Sequence, residues 1–78
     1  NRIVTRDLKL DNILLDEHGS CKVADWGLAT QYSANGTKLT RYVGSAHYAA
    51  PEMLCHEPYL GPEVDCWSLG VILFAMVS

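Results

Sequence analysis

The sequence predicts an α+β chain of short strands and one long apolar helix, and three observations carry that prediction. Two short apolar runs flank a polar turn that contains Gly19, which is a hairpin signal. Proline followed by an acid opens two segments, Pro51-Glu52 and Pro62-Glu63, as at helix N-termini. Residues 66–77, twelve in all with Ser68 and Gly70 included, are apolar on every face. A membrane span needs about twenty such residues. The stretch therefore predicts a helix buried on all sides of a larger protein.

Taken in order, residues 2–5 hold Ile3 and Val4 and predict a strand stub. Residues 6–12 alternate charges and leucines without a clean period, which predicts a structured loop. Ile13-Leu14-Leu15 and Cys21-Lys22-Val23-Ala24 are the hairpin strands, with the turn at 16–20. Asp25-Trp26-Gly27 ends the second run. Residues 31–39 have loop composition, with Ser33, Asn35-Gly36 and Thr37-Lys38. Pro51-Glu52-Met53-Leu54 starts a short helix. Gly61-Pro62 breaks the chain again, and a long helix follows through residue 78.

The totals exclude several functions. With 78 residues there is room for one small domain at most. A hydrophobic content of 49% rules out a disordered tail. The net charge of −3 gives no footprint for a nucleic-acid partner or an anionic membrane. Cys21, Cys55 and Cys66 form no CxxC pair, which predicts reduced, mostly buried thiols in an intracellular protein. His18, His47 and His56 lack metal-site spacing with them. No secretory signal pattern is visible and the first residue is Asn1, so a piece of a longer chain is expected, cytoplasmic or nuclear.

Three segments carry chemistry: Thr5-Arg6-Asp7-Leu8-Lys9-Leu10-Asp11-Asn12, Asp25-Trp26-Gly27 and Ala50-Pro51-Glu52. Together they resemble the ordered H-R-D-L-x-x-x-N, D-F-G and A-P-E set of eukaryotic protein kinases, matching nine of eleven fixed positions. Each triplet alone is weak; the ordered set, with a hairpin pattern and then a polar loop between its members, is specific. Asp65-Cys66-Trp67-Ser68-Leu69-Gly70-Val71 is similar to the start of the long buried helix of the kinase C-lobe. The resemblance covers essentially the whole chain. It implies a partial kinase-like C-lobe: a catalytic-loop region at 1–12, a strand hairpin at 13–24, an activation segment at 25–52, and the buried helix at 62–78.

The resemblance also implies roles. Asp7 would accept the substrate hydroxyl proton, and Lys9 would steady the transferring phosphoryl group. Asn12 and Asp25 would supply hard oxygens to Mg²⁺ bound with ATP. Gly27 would permit the backbone excursion that aims Asp25. Arg6 would pair with a phosphorylated activation loop. Asp65 would hold the catalytic loop from below, with Glu52 a further structural acid. Ser45 would line the substrate-binding loop, and with Lys9 it implies Ser/Thr protein substrates.

Thr40 and Tyr42 are the candidates for modification by an upstream activating kinase. Their offset to Ala50-Pro51-Glu52 matches the T-x-Y pair of mitogen-activated kinases. The flanking residues, from Gly44 to Glu52 and from Gly61 to Asp65, look instead like the AMP-activated or calmodulin-dependent group. In that group the phosphorylated Thr sits one residue nearer Gly44, where this chain has Arg41. The modified residue thus stays open between the two patterns.

Thr5, Leu10 and Trp26 replace the usual His, Pro and Phe. One expectation is a volume swap, in which the indole fills space left by the missing imidazole; the alternative is two independent replacements. None of the three removes the base or a metal ligand, so an active parent enzyme is expected, with a pseudokinase, a scaffold segment or a truncated product as alternatives. The Gly-rich phosphate loop and strand lysine that hold ATP are absent from these residues. The 78-residue chain alone is therefore expected to be inactive.

Overall fold

A computed structural model describes residues 2–78. Four short strands, β1 (Ile3–Val4), β2 (Ile13–Leu15), β3 (Cys21–Val23) and β4 (Thr30–Gln31), precede two helices, α1 (Pro51–Leu54) and α2 (Pro62–Val77). Single 3-10 turns at Leu10–Asn12 and Ala46–Tyr48 fill two of the connections.

β2 and β3 pair antiparallel, with Ile13 opposite Val23 and Leu15 opposite Cys21. The turn between them is organised by one carboxylate. Asp16 Oδ1 accepts the backbone N–H groups of His18 and Ser20, at 2.9 and 2.8 Å. A short polar side chain that bonds its own backbone a few residues on is the usual reason Asp begins a turn.

β1 pairs with β4, not with its neighbour in sequence: Ile3 lies opposite Gln31 and Val4 opposite Thr30. Residues 5–29 therefore loop out and return, and everything from the catalytic-loop region to Asp25 hangs from this two-stranded clasp.

The core lies beneath that loop. Ala50, Met53, Tyr59 and Val64 are buried together, and Leu39, Tyr42 and Ala49 pack against them. Leu39 and Tyr59 exchange backbone hydrogen bonds in both directions, at 2.6 and 2.9 Å, which ties the activation segment to the approach to α2.

Pro62 occupies the first turn of α2, where its missing N–H costs no hydrogen bond. Val64, Ser68 and Ile72 are its buried residues, spaced four apart along one stripe. Ser68 Oγ lies 2.8 Å from the Tyr48 carbonyl and 3.1 Å from the Val64 carbonyl, and so anchors the helix to the Ala46–Tyr48 turn. Burial stops at that stripe. Leu69, Leu73, Phe74, Met76 and Val77 are exposed, so the described residues enclose α2 on one face only, and the burial expected on its other sides is that of a larger protein. No other element within the described residues reaches the far side.

Two expectations are corrected. Cys21, Cys55 and Cys66 are all exposed, not buried; they sit on an uncovered hairpin strand, at the end of α1 and off the buried stripe of α2. Trp26 is 53% exposed and donates its indole N–H to the Val23 carbonyl at 3.1 Å. It is not the core filler that the volume swap requires. Thr5 is buried, and its Oγ1 has no hydrogen-bond partner among the described residues.

Candidate active site

The backbone at Thr5 and Arg6 is fixed from below by one carboxylate. Asp65, in the first turn of α2, accepts the Thr5 N–H at Oδ2 (2.8 Å) and the Arg6 N–H at Oδ1 (3.0 Å). Arg6 itself has φ of +61°. A non-glycine residue in this left-handed region costs on the order of 1–3 kcal/mol and persists only where its surroundings enforce it. Asp65 supplies part of that enforcement.

Gly44 supplies another part. It has φ of +97°, and a Cβ there would fall 2.3 Å from the Arg6 carbonyl oxygen. The activation segment thus presses its backbone directly onto the catalytic-loop backbone, which only glycine permits.

Asp7 follows Arg6 and is half-buried. Asn12 Nδ2 donates to the Asp7 carbonyl at 2.8 Å and to Asp7 Oδ2 at 3.2 Å. Ser45 Oγ donates to Asp7 Oδ1 at 3.4 Å, and Lys9 Nζ donates to Ser45 Oγ at 3.1 Å. Both carboxylate oxygens are thereby oriented, one by the catalytic loop and one by the activation segment. Four sequence candidates, Asp7, Lys9, Asn12 and Ser45, form one connected network. It places a carboxylate acceptor and an ammonium group on either side of a hydroxyl.

Asp25 is outside that network but close in the chain path, because the Ala24 N–H donates to the Asn12 carbonyl at 2.7 Å. Asp25 is exposed, with φ of +60°. The backbone excursion expected at Gly27 therefore falls on Asp25 itself. Gly27 matters for another reason. Its N–H donates to Asp25 Oδ1 at 3.3 Å, and a Cβ would crowd that oxygen at 3.2 Å.

These donors suit a hard divalent cation. The Asn12 side-chain nitrogen is held by Asp7, which leaves the side-chain oxygen, Oδ1, without a donor among the described residues. Asp25 offers a carboxylate in the open. An amide oxygen and a carboxylate are the ligand types Mg²⁺ takes, the remainder being water and phosphate oxygens. No group of three or more His, Cys, Asp or Glu residues gathers for a metal among the described residues. A site made by this chain would thus depend on those outside ligands.

The remaining candidates are spread more widely. The Arg6 guanidinium donates from Nε to the Leu28 carbonyl (2.9 Å) and from Nη1 to the Tyr59 hydroxyl (3.2 Å). Thr40 is exposed beside the Leu39–Tyr59 bridge. Tyr42 is half-buried against the core, its ring edge-on to His56 with centroids 5.1 Å apart. Glu52 lies in the first turn of α1, and its carboxylate forms no ion pair among the described residues. The one ion pair there is the exposed contact of His18 with Glu17.

Tyr59 was not singled out by sequence. It is the largest fully buried side chain, and its hydroxyl donates to the Arg41 carbonyl. The available signal was an aromatic with a polar tip in a segment bounded by Pro58 and Gly61, too common a pattern to select it.

Comparison with known proteins agrees with the geometry. The protein kinase domain model matches residues 1–78. NUAK family SNF1-like kinase 2 of Homo sapiens is 54% identical over 77 residues, covering 99% of this chain and 12% of that protein. A probable serine/threonine-protein kinase KIN1 homolog of Encephalitozoon cuniculi is 49% identical over 77 residues, and protein kinase kin1 of Schizosaccharomyces pombe is 46% identical. The chain spans 13% and 8% of those two relatives. With a family match along its whole length and close relatives on the serine/threonine, SNF1-like branch, the chain belongs to the protein kinase domain family.

Proposed function

We propose that the full-length protein is a serine/threonine protein kinase that transfers a phosphoryl group from ATP to a Ser or Thr hydroxyl of a protein substrate. The observation that carries this reading is the network around Asp7, with Asn12 and Ser45 on its two oxygens and Lys9 on Ser45. ATP with Mg²⁺ supplies the activated phosphoryl group and neutralises its charge. The chain's own residues position and accept. Asp7 takes the proton of the attacking hydroxyl, and Ser45 and Asn12 fix the direction from which it does so. Lys9 presents a compact positive charge next to the same hydroxyl site. Asn12 and Asp25 are the residues that would hold Mg²⁺. Asp65 keeps the loop carrying Asp7 at fixed height. Thr40, exposed on the activation segment, is the residue accessible to an upstream kinase.

The test is Asp7→Asn in the full-length protein, which keeps shape and removes the base. Transfer of labelled phosphate to a Ser/Thr peptide mixture should fall at least about 100-fold in kcat, the range for loss of a positioned general base. A wild-type protein with no transfer would support the pseudokinase reading instead. An Asp7→Asn protein of near-normal rate would remove Asp7 from the chemistry.

A further inference from the structure

The Arg6 side chain joins parts of the chain that lie far apart in sequence. Its backbone N–H is held by Asp65 and its carbonyl is covered by Gly44. Its Nε reaches the Leu28 carbonyl near the start of the activation segment, and its Nη1 reaches the Tyr59 hydroxyl. That hydroxyl in turn donates to the Arg41 carbonyl, later in the same segment. The result is a relay from guanidinium to phenol to backbone carbonyl. It ties both halves of the activation segment to the catalytic loop through neutral acceptors.

Tyr59 is built to be rigid in that relay. It is 2% exposed, within the cluster of Ala50, Met53 and Val64. Its backbone is paired with Leu39 on both sides. A buried phenol needs partners for its hydroxyl, and this one both donates and accepts. No anion lies at hydrogen-bonding distance from the Arg6 guanidinium among the described residues.

We propose that Tyr59 is a positioning residue whose hydroxyl, bridging Arg6 and the Arg41 carbonyl, holds the activation segment on the catalytic loop in the unphosphorylated protein. Arg41 joins the bridge by its backbone, so this position needs no phosphorylatable side chain for the tether to form. The segment held is the one that carries Ser45 to Asp7, so the tether acts on kcat through Ser45 and not through nucleotide contacts. The inference rests on the kinase reading for its kinetic consequence, but not for the tether itself.

The experiment uses full-length, phosphatase-treated protein, and Tyr59→Phe, which keeps the ring and the burial. Hydrogen–deuterium exchange at residues 41–45 should quicken about ten- to 150-fold, in line with loss of a buried hydrogen bond to a charged partner. Exchange in the hairpin at 13–23 should not change. In peptide assays kcat should fall by a similar factor, with KM for ATP unchanged. Arg6→Lys keeps the cation but loses the fork that reaches two acceptors. It should speed the same exchange, and the double variant should be no worse than the poorer single. Unchanged exchange at 41–45 in Tyr59→Phe, or strictly additive effects in the pair, would overturn the tether. If the wild-type protein transfers no phosphate, the kinase reading fails while the exchange measurement still decides the tether.

Discussion

At the scale of single residues, backbone conformation marks the working parts. Of the three described non-glycine residues with left-handed φ, Arg6 and Asp25 flank the proposed chemistry, and His56 lies outside it, after α1. Such strain is held only where neighbours enforce it, and for Arg6 the enforcing contacts are Asp65 and Gly44. Gly44 gives the sharper test. An added methyl at Gly44 meets a backbone oxygen that cannot swing aside, whereas at Gly36, with φ of +90°, it meets open space. Both substitutions to Ala carry the cost of a left-handed β-carbon, about 1–2 kcal/mol. Gly44→Ala carries the clash in addition. Urea denaturation of the full-length protein should therefore show Gly44→Ala as the more destabilising by at least about 1 kcal/mol. Equal losses would mean that the activation segment does not press on Arg6.

At the scale of elements, legibility followed the range of the interaction. The hairpin was visible because its turn is local: Asp16 and Gly19 fix it within a few residues. The start of α2 was visible because Pro62 and an acid mark a helix beginning wherever they occur. The β1–β4 clasp was not, since strands of two residues carry no period and their pairing is decided by the fold. Within the site, Asp7, Asn12 and Asp65 were legible through a shared motif order. Tyr59 and the orphaned Thr5 hydroxyl were not, because what distinguishes them is burial and partners.

The start of α2 also makes a pH-dependent prediction. Glu63 folds back so that its carboxylate accepts the N–H groups of Leu60 (2.7 Å) and Gly61 (2.8 Å). Burial works against the charge, but those donors and the nearby Lys38 outweigh it and hold the carboxyl below its usual value of 4.5. A carboxyl lowered in the folded state adds stability above its unfolded pKa and loses it as pH falls through the folded one. Glu63→Gln should therefore cost about 0.5–1 kcal/mol at pH 7, the lower end for a capping side chain in solvent. The difference should shrink as pH drops below about 4.5 and vanish in stronger acid. Parallel melting curves at pH 7 and pH 3 would check this, and a cost that persists unchanged in acid would exclude the charge as its source.

At the scale of the whole molecule, the surface is too large for the chain. Its accessible area is 5323 Å², against about 4,700 Å² for a compact protein of this mass. Its radius of gyration is 12.9 Å, against roughly 11.5 Å for a compact chain of this length. The excess has an address, because α2 leaves Leu73 at 62% and Phe74 at 72% exposure beside Leu69, Met76 and Val77. An apolar patch of that kind drives association in water. The 78-residue chain expressed alone should thus scatter light as oligomers at tens of micromolar. Leu73→Glu with Phe74→Glu should restore the monomer while the helical circular dichroism is kept. Both positions lie off the Val64, Ser68 and Ile72 stripe that attaches the helix, so the change removes surface apolarity without touching the attachment. A wild-type chain that stays monomeric and melts cooperatively would mean that this face is covered from within the chain, by a packing other than the one described.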